Sequence, residues 1–256
     1  MNKALNISIW VFSILMIVAL LGFVESKNID VQCNDIDISI DRPNKNFFVM
    51  EEDVRNMVLN LGYGEGMRIN QVDISHLERL LNNNSSINHA EVYSTIDGVL
   101  KVELTQRNPI LRVFTEDGDS YYVDENGWMM PLSNKFTSRV VVANGAVKTP
   151  LLYETNVMDD EQEEQSLKDL YQIASFIDDN SFWKAQIVQL YVKENGDIQL
   201  IPRVGNHEIL FGKAEKIDDK FDKLMIFYKQ GLSKTGWNGY KTINLKYNNQ
   251  VVCTKK

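Results

Sequence analysis

The chain opens with an uncharged apolar run, Leu5–Val24, and continues with segments in which apolar residues alternate with polar ones or recur at helical spacing. The twenty residues of this run, at the rise of an α-helix, span about 30 Å, the thickness of a bilayer's hydrocarbon core. The run is longer than the apolar region of a secretory signal peptide, and residues 22–26 lack a small-residue cleavage pattern. The sequence therefore predicts an uncleaved membrane anchor over residues 5–24, with a cleaved signal peptide as the alternative.

The charges on either side of this run predict its orientation. Residues 1–4 carry Lys3 and the α-amine, whereas Glu25, Lys27 and Asp30 nearly cancel one another on the other side. Because the positive flank of a membrane helix usually stays in the cytoplasm, we expect a short cytoplasmic tail and a body that lies outside the cytoplasm.

Residues 28–108 show both kinds of apolar spacing. Strict alternation, as in Ile36, Ile38 and Ile40, predicts half-buried strands, and apolar residues three or four apart predict helices. The predicted order is strand, helix, helix, strand, strand, with strands over 33–41, 87–96 and 99–106, a helix from Glu51 and a helix capped by Asp73 or Ser75. Because each helix has one apolar stripe, we expect both to cover a three-stranded sheet.

Residues 109–256 predict a larger, mainly antiparallel β domain with helices. Turns such as Asn126–Gly127 and Asn195–Gly196 separate short apolar runs, which is typical of hairpins. Helical spacing predicts helices over about 161–177 and 216–229, and the strands are predicted over 110–114, 120–124, 127–131, 140–143, 187–193, 197–201, 207–211 and 240–252. The predicted fold class is therefore α+β, with one N-terminal transmembrane helix, a βααββ domain and this β domain.

Composition excludes one class of partner and leaves one question open. The chain has a formal net charge of −8 and a pI near 5.0, whereas proteins that bind nucleic-acid backbones need clustered lysine and arginine. We therefore expect no nucleic-acid partner.

Cys33 and Cys253 stand at opposite ends of the body, and the sequence leaves open whether they form a disulfide or remain two thiols.

The chain lacks the usual signatures of an enzyme. His76, His89 and His207 share no metal-binding spacing, and neither a G-x-S-x-G nucleophile elbow nor a phosphate-binding loop is present. The acid-rich stretch 159–164 fits the start of a helix better than a calcium loop. We expect no catalytic residues, no metal and no cofactor, although a carboxylate pair without a sequence signature stays an alternative.

Several stretches, in order along the chain, resemble the FtsQ/DivIB family of bacterial cell-division proteins. Val102–Pro109 is similar to the family's junction between a POTRA-type domain and a β domain, and Tyr121–Gly127 is similar to the turn that follows it. Gly205–Gly212 and Asn244–Tyr247 resemble two of the family's later strands. The resemblance implies four regions: a tail of residues 1–4, an anchor of residues 5–24, a POTRA-type domain of residues 28–108 and a β domain of residues 109–256.

The resemblance implies a non-enzymatic scaffold in the inner (plasma) membrane at the division septum, with a periplasmic or extracytoplasmic body. Members of the family join early and late division proteins and bind FtsB and FtsL, and the last strand and the preceding helix of the β domain carry the FtsB contact. Other membrane proteins of the divisome are expected at the POTRA-type domain or the anchor. The residues that match the partner-binding elements are Tyr228, Lys229, Tyr240, Ile243, Leu245, Lys246, Tyr247 and Val251.

The predicted strand Tyr240–Val252 is the last element of the chain, so it is a candidate edge strand that could accept a strand from a partner. We expect Leu245 and Tyr247 to anchor that partner, unless they face the domain's own core together with Ile243. Two other functions stay open: a POTRA-bearing component of protein secretion or outer-membrane assembly, and a membrane-anchored hydrolase.

Overall fold

The computed structural model describes residues 9–19, 31–149, 155–158 and 165–256. Residues 9–19 form a helix, α1, whose apolar side chains are exposed. Within the described ranges, no helix has both the length and the apolar character needed to cross a membrane. The predicted anchor over 5–24 lies partly outside the described residues, as does the acid-rich stretch 159–164.

The body divides into two compact units, which are described separately. The first comprises residues up to 42 together with 49–106, and the second comprises 43–48 together with 107–256. The short segment 43–48 falls inside the range predicted for the first domain but belongs to the second unit. In the second unit, the ring of Phe48 packs edge-on against Tyr122 and Phe136, with ring centroids 5.6 and 5.3 Å apart.

The first unit has the predicted strand–helix–helix–strand–strand order. Its elements are β1 (Asp35–Asp41), α2 (Glu51–Asn60), α3 (Ile74–Asn82), β2 (Ile87–Ser94) and β3 (Val99–Gln106). The three strands form a sheet in the order β1-β3-β2, with β1 parallel and β2 antiparallel to β3. The expected α+β unit with a three-stranded sheet is confirmed.

Local chemistry explains where the two helices of this unit begin. Three acidic residues stand in the first turn of α2, where they complement the helix dipole, and the Asp53 carboxylate accepts the backbone N–H of Met50 at 3.0 Å. For α3 the cap is Asp73 and not Ser75, because the Asp73 carboxylate accepts the N–H of His76 at 2.9 Å. Both helices bury their apolar faces against the sheet, and the fully buried side chains at this core include Val58, Leu77, Leu81, Leu100 and Val102.

The second unit is built on one nine-stranded sheet. Its strands are β4 (Pro109–Phe114), β5 (Ser120–Asp124), β6 (Met129–Met130), β7 (Val141–Gly145), β8 (Ile187–Val192), β9 (Ile198–Pro202), β10 (Glu208–Gly212), β11 (Tyr240–Asn244) and β12 (Val252–Lys255). They follow the order β12-β11-β10-β9-β8-β7-β4-β5-β6. The pairs β4–β7, β7–β8 and β10–β11 are parallel. The sheet is therefore mixed. Two neighbouring parallel strands need a long connection between them, because the chain must cross back to the end of the sheet at which the first strand began.

Helices bury the apolar side of this sheet. They are α4 (Gln165–Asp179), α5 (Ser181–Gln186), α6 (Ile217–Phe227), the π-helical turn Tyr228–Leu232 and the short α7 (Ser233–Thr235). One contiguous core joins the helix side chains Leu170, Ile173 and Phe221 to the sheet. Trp183 of α5 lies in this core with its ring centroid 5.0 Å from that of Phe221.

The strand predicted at the C-terminal end of the second unit was wrong in its bounds. The strand predicted over 240–252 ends at Asn244, and the chain reverses and returns as β12, antiparallel to β11. The reversal uses Asn249 at φ 58°, a left-handed conformation that asparagine tolerates, and Lys246 N–H donates to the Asn244 side chain at 3.0 Å. The helix predicted over 216–229 ends as an α-helix at Phe227 and continues as the π-helical turn.

Candidate functional site

The open end of the large sheet is β12. Within the described chain, β12 pairs only with β11, whereas β11 lies between β10 and β12 and is paired on both sides. The expectation that the strand beginning at Tyr240 is itself the edge is therefore corrected. Any strand added at this end of the sheet must pair with β12.

The backbone of β12 presents hydrogen-bonding groups outward. Lys256 N–H donates to the Gly239 carbonyl at 3.3 Å, so the peptide N–H of Lys256 points toward the β11 side. Because successive residues of a strand point their N–H and C=O groups to opposite sides, Val252 and Thr254 also face β11. The peptide groups of Cys253 and Lys255 therefore point away from the sheet, where a further strand would lie.

The inner face of the β11–β12 hairpin belongs to the core. Ile243 and Leu245 have no exposed surface, and Tyr240, Val251 and Cys253 pack against the same core while partly exposed. The structure therefore places Ile243 and Leu245 with the unit's own interior, where a partner's side chains cannot reach them while the hairpin is folded. The Tyr240 ring packs edge-on against Phe227 of α6, with centroids 5.3 Å apart.

Tyr228 is also an interior residue. Its hydroxyl lies 3.1 Å from Nε2 of His207, and its ring lies between those of Trp183 and Trp237. Burial raises the pKa of Tyr228 well above its ordinary value. Burial lowers the pKa of His207, against a smaller opposing effect of a hydrogen bond to the backbone of Trp237. Both side chains are therefore neutral at pH 7 and form a packed pair.

Two predicted site residues lie on the outer side of the hairpin. Tyr247 is 50% exposed in the turn between β11 and β12. Lys246 Nζ lies 2.7 Å from Oδ2 of Asp197 in the β8–β9 turn, and this hydrogen bond is the main cause of the lowered pKa of Asp197. The backbone N–H of Lys246 is used within the turn, so it does not face a sheet edge.

A groove runs between the π-helical turn and the start of β12. Its volume is about 470 Å³, and it is lined by Lys223, Ile226, Phe227, Gln230, Gly231, Lys234, Asn249, Gln250 and Val251. Ile226 is 56% exposed and forms part of an apolar wall. A second cleft of about 420 Å³ shares Lys223, Ile226 and Asn249 with it and extends along α6. We call the first of these the hairpin groove.

The chain from Lys223 to Lys256 is basic although the protein is acidic, whereas the adjoining cleft is also lined by Asp219 and Asp222. Between residues 223 and 256 there is no aspartate or glutamate, and there are seven lysines: Lys223, Lys229, Lys234, Lys241, Lys246, Lys255 and Lys256. Lys223 holds the hairpin turn, because its ammonium donates to the carbonyls of Leu245 and Tyr247 at 3.3 and 2.8 Å. Lys229 is exposed on the π-helical turn.

Sequence reasoning missed the groove, the π-helical turn and the identity of the edge strand. The acid-free stretch of 34 residues, 223–256, was visible in the sequence and marks this region. The π-helical turn has no comparable signal, since the apolar spacing of α6 continues into it. π-Helical turns are rare and occur often at functional sites.

The motif Tyr121–Gly127 has a structural role. The Asp124 carboxylate accepts the N–H groups of Asn126 and Trp128 at 2.9 and 2.8 Å, and its other oxygen pairs with Arg107 at 2.8 Å. Asp124 is fully buried. This carboxylate therefore fixes the turn after β5 and ties it to Arg107, two residues before β4.

The remaining candidate residues from the sequence are the two cysteines and the three histidines. Both cysteines are free thiols: Cys33 is buried in the first unit, and Cys253 is partly exposed in β12 of the second. His76 and His89 belong to the first unit and His207 to the second. Among the described residues, no three or more His, Cys, Asp or Glu side chains are grouped so that they could hold a metal ion.

Comparison with known proteins agrees with the two units. A family model described as FtsQ/DivIB, C-terminal related, matches residues 108–254, which is more than half of the chain. A model of a POTRA-like domain matches residues 31–105. No curated protein matched the chain.

Proposed function

The chain belongs to the FtsQ/DivIB family of cell-division proteins, and we propose that it is a bitopic membrane scaffold that links early and late division proteins. In this proposal residues 5–24 anchor it in the inner membrane at the septum, with the N-terminus cytoplasmic and the body outside the cytoplasm. It acts by binding FtsB/FtsL-like partners and not by catalysis. The POTRA-like unit or the anchor recruits other divisome membrane proteins.

The observation that carries the proposal is the open edge at β12. An exposed strand with outward-pointing N–H and C=O groups is a template for strand addition, in which backbone hydrogen bonds give affinity and alternate side chains give specificity. Val252 is 42% exposed and Tyr247 is 50% exposed at this edge, so both are accessible to an added strand. Ile243, Leu245, Tyr228 and Tyr240 support the edge from beneath.

A backbone substitution in β12 tests the proposal. Proline at Cys253 removes an outward N–H that the β11–β12 pairing does not use, and an edge strand tolerates proline at such a position. The matched control is Cys253→Ala, which changes the same side chain but keeps the N–H. Each full-length variant is purified in detergent with FtsB- and FtsL-like partners, and its melting temperature is measured on the same sample.

We expect Cys253→Pro to melt close to the unmodified protein and to lose the partners, while Cys253→Ala keeps them. Full partner recovery with a folded Cys253→Pro variant would exclude this edge. The anchor is tested separately by mass spectrometry of the protein from membranes. An N-terminus near Ser26 would show cleavage and contradict the bitopic arrangement.

A further inference from the structure

A cleft lies where three parallel strands of the large sheet begin. The strands β4, β7 and β8 are neighbours that run in the same direction, so their first residues meet at one side of the sheet. The cleft has two adjoining compartments of about 310 and 440 Å³, which share Arg139, Val140 and Lys184 as lining residues. We call it the strand-start cleft. All residues that line it belong to the second unit, and β8 is four strands away from β12, about 19 Å.

We infer that the strand-start cleft binds a peptide segment in which an apolar side chain is flanked by carboxylates. This inference goes beyond the proposed function, because it assigns a second binding site at another part of the sheet. Its evidence is an apolar floor, the cations around that floor and a wall of amide side chains beside it.

The smaller compartment has an apolar floor. Ile110, Val141 and Ile187 stand at the first or second residue of β4, β7 and β8, and Ala174 and Ile177 of α4 complete the lining. All five side chains belong to the buried core, so the floor is held by the packing of the unit. A preformed apolar hollow favours an apolar side chain of a ligand, because binding removes apolar surface from water.

Three cations and one acid line this compartment among the described residues: Arg139, Lys184, Arg203 and Asp178. Lys184 and Asp178 form an ion pair with each other. Arg203 donates Nε–H to the Ala185 carbonyl at 2.9 Å and retains its other N–H groups. Arg139 is exposed, and its side chain has no hydrogen-bond or ion-pair partner among the described residues. Two guanidinium groups are therefore available, and guanidinium binds carboxylate through paired N–H groups.

The balance of charge and apolar surface selects the ligand. On a protein of net charge −8, uncompensated cations in a cleft attract an acidic segment and repel a basic one. A free anion such as phosphate would leave the apolar floor in contact with water. An apolar side chain with a carboxylate on either side satisfies the floor and both arginines.

The larger compartment adds a wall of amides. Asn108 Oδ1 accepts Nδ2–H of Asn44 and Asn46 at 3.0 and 3.1 Å, and Asn108 Nδ2 donates to Glu125 at 2.7 Å. Ser138 Oγ donates to Asn46 Oδ1 at 3.0 Å. Asn46, Asn108 and Ser138 are buried, so this network fixes the wall.

The exposed member of that wall is Asn44. Its Nδ2 donates to Asn108, which leaves Oδ1 and one N–H for a ligand. A side-chain amide carries the same donor and acceptor as a peptide group, so Asn44 can hydrogen-bond the backbone of a bound segment. This feature favours a peptide over a lipid headgroup as the source of the carboxylates.

Short peptides test the inference on the full-length protein in detergent. The probe is Asn-Glu-Leu-Glu-Asn-Gly-Ser with capped ends, labelled with a fluorophore and read by anisotropy. One control peptide replaces both glutamates with glutamine, and another replaces the leucine with serine. The melting temperature of each protein variant is measured on the same sample.

We expect the probe to bind about fivefold more tightly than the glutamine peptide at low salt, with the difference shrinking at 0.5 M salt. The serine peptide should bind about tenfold more weakly than the probe, because it leaves the apolar floor unfilled. Arg139→Gln should remove the preference for glutamate over glutamine. The matched control is Arg79→Gln, which changes an exposed arginine of the first unit and should alter the affinity less than twofold.

A charge swap separates recognition from a structural role of Arg139. Arg139→Glu should bind the peptide in which lysines replace both glutamates about fivefold more tightly than the unmodified protein does. Cys253→Pro, which alters the β12 edge, should keep the full preference for the acidic probe.

Four results would overturn the inference: no binding of the probe, equal binding of the glutamine peptide, equal effects of Arg139→Gln and Arg79→Gln, or a charge swap without effect. Loss of the preference in Cys253→Pro would move the binding to β12 and overturn it as well. Displacement of the probe by inorganic phosphate, but not by sodium chloride of the same ionic strength, would assign the cations to a free anion and also exclude a peptide site.

Discussion

At one end of the nine-stranded sheet, β6 is two residues long, its two methionines are buried, and residues 155–158 lie against it. Met129 N–H donates to the Thr155 carbonyl at 3.0 Å and Val157 N–H donates to the Gly127 carbonyl at 2.9 Å. At the other end, β12 has four residues, is largely exposed, and has no second neighbour among the described residues. One end is closed by the chain's own backbone, and the other is left open.

The difference shows how one sheet can have its backbone hydrogen bonds satisfied at one end and leave them unsatisfied, and so accessible to a partner strand, at the other. Exposed sheet edges promote aggregation, and short strands and lysines on the edge are common protections. β12 is short, and Lys255 and Lys256 stand at its end. Both features protect this edge from aggregation although no other strand covers it in the described chain. The following predictions test whether the closed end serves stability and the open end serves binding.

The largest effect is expected at the closed end. Asp124→Ala removes the buried partner of Arg107 and the acceptor of two turn N–H groups. Breaking a buried ion pair from one side costs about 3–5 kcal/mol of unfolding free energy. Urea unfolding should show this loss, while the exposed control Glu194→Ala should differ from the unmodified protein by less than about 0.5 kcal/mol. A small change in Asp124→Ala would mean that the closed end does not depend on this turn.

The second prediction separates the inner and outer faces of the open end. Leu245→Ala deletes a fully buried side chain and should cost about 2–5 kcal/mol. Tyr247→Ala removes a half-exposed ring and should change the stability by less than about 1 kcal/mol while weakening partner binding. The measurements are urea unfolding and partner co-purification on both variants. Unchanged partner binding by Tyr247→Ala would remove Tyr247 from the contact surface.

A comparison of the first unit with the C-terminal hairpin shows what the sequence can and cannot predict. The elements of the first unit follow from apolar spacing and turn residues, and β3 has the bounds read from the sequence, Val99–Gln106. The alternation of Ile243, Leu245 and Tyr247 predicts one strand, because Leu245 and Tyr247 continue the pattern of period two past Asn244, where β11 ends. Long-range pairing decides the rest, and no local signal predicts that β10 takes β11 as a parallel neighbour.

The same limit applies to the candidate site. Sequence patterns predict a sheet edge in the strand that begins at Tyr240, whereas the edge is β12, since the order of strands in a sheet depends on contacts far apart in the chain. The helix spacing gave the correct start of α6 to within one residue. It places Tyr228 on the inward face, as the structure has it, but it could not predict the π-helical turn or the contact between Tyr228 and His207, because both depend on packing inside the unit.

The third prediction concerns acid sensitivity on the open side. His207 is buried, with a folded-state pKa below that of the unfolded chain. As the pH falls below about 6.5, the unfolded state takes up a proton that the folded state resists, so the free energy of unfolding decreases. Urea unfolding at pH 7.5 and 5.5 should show this decrease, and His207→Gln should reduce it. An identical slope in the unmodified protein and in His207→Gln would contradict the assignment.

The smallest effect is expected for the ion pair that links the turn after β11 to the β8–β9 turn. Lys246 and Asp197 are 45% and 22% exposed in their side chains, and solvent-exposed pairs contribute about 0–1 kcal/mol. The lowered pKa of Asp197 means that this contribution is present above the unfolded pKa of aspartate, near 4, and is lost as the pH falls through the folded value. Lys246→Met, Asp197→Asn and the double variant form a cycle whose coupling energy should be below about 1 kcal/mol at pH 7 and should vanish at 1 M salt. A coupling of several kcal/mol would show that the turn is held rigidly by this pair, and the open end would then be a fixed template and not an adaptable one.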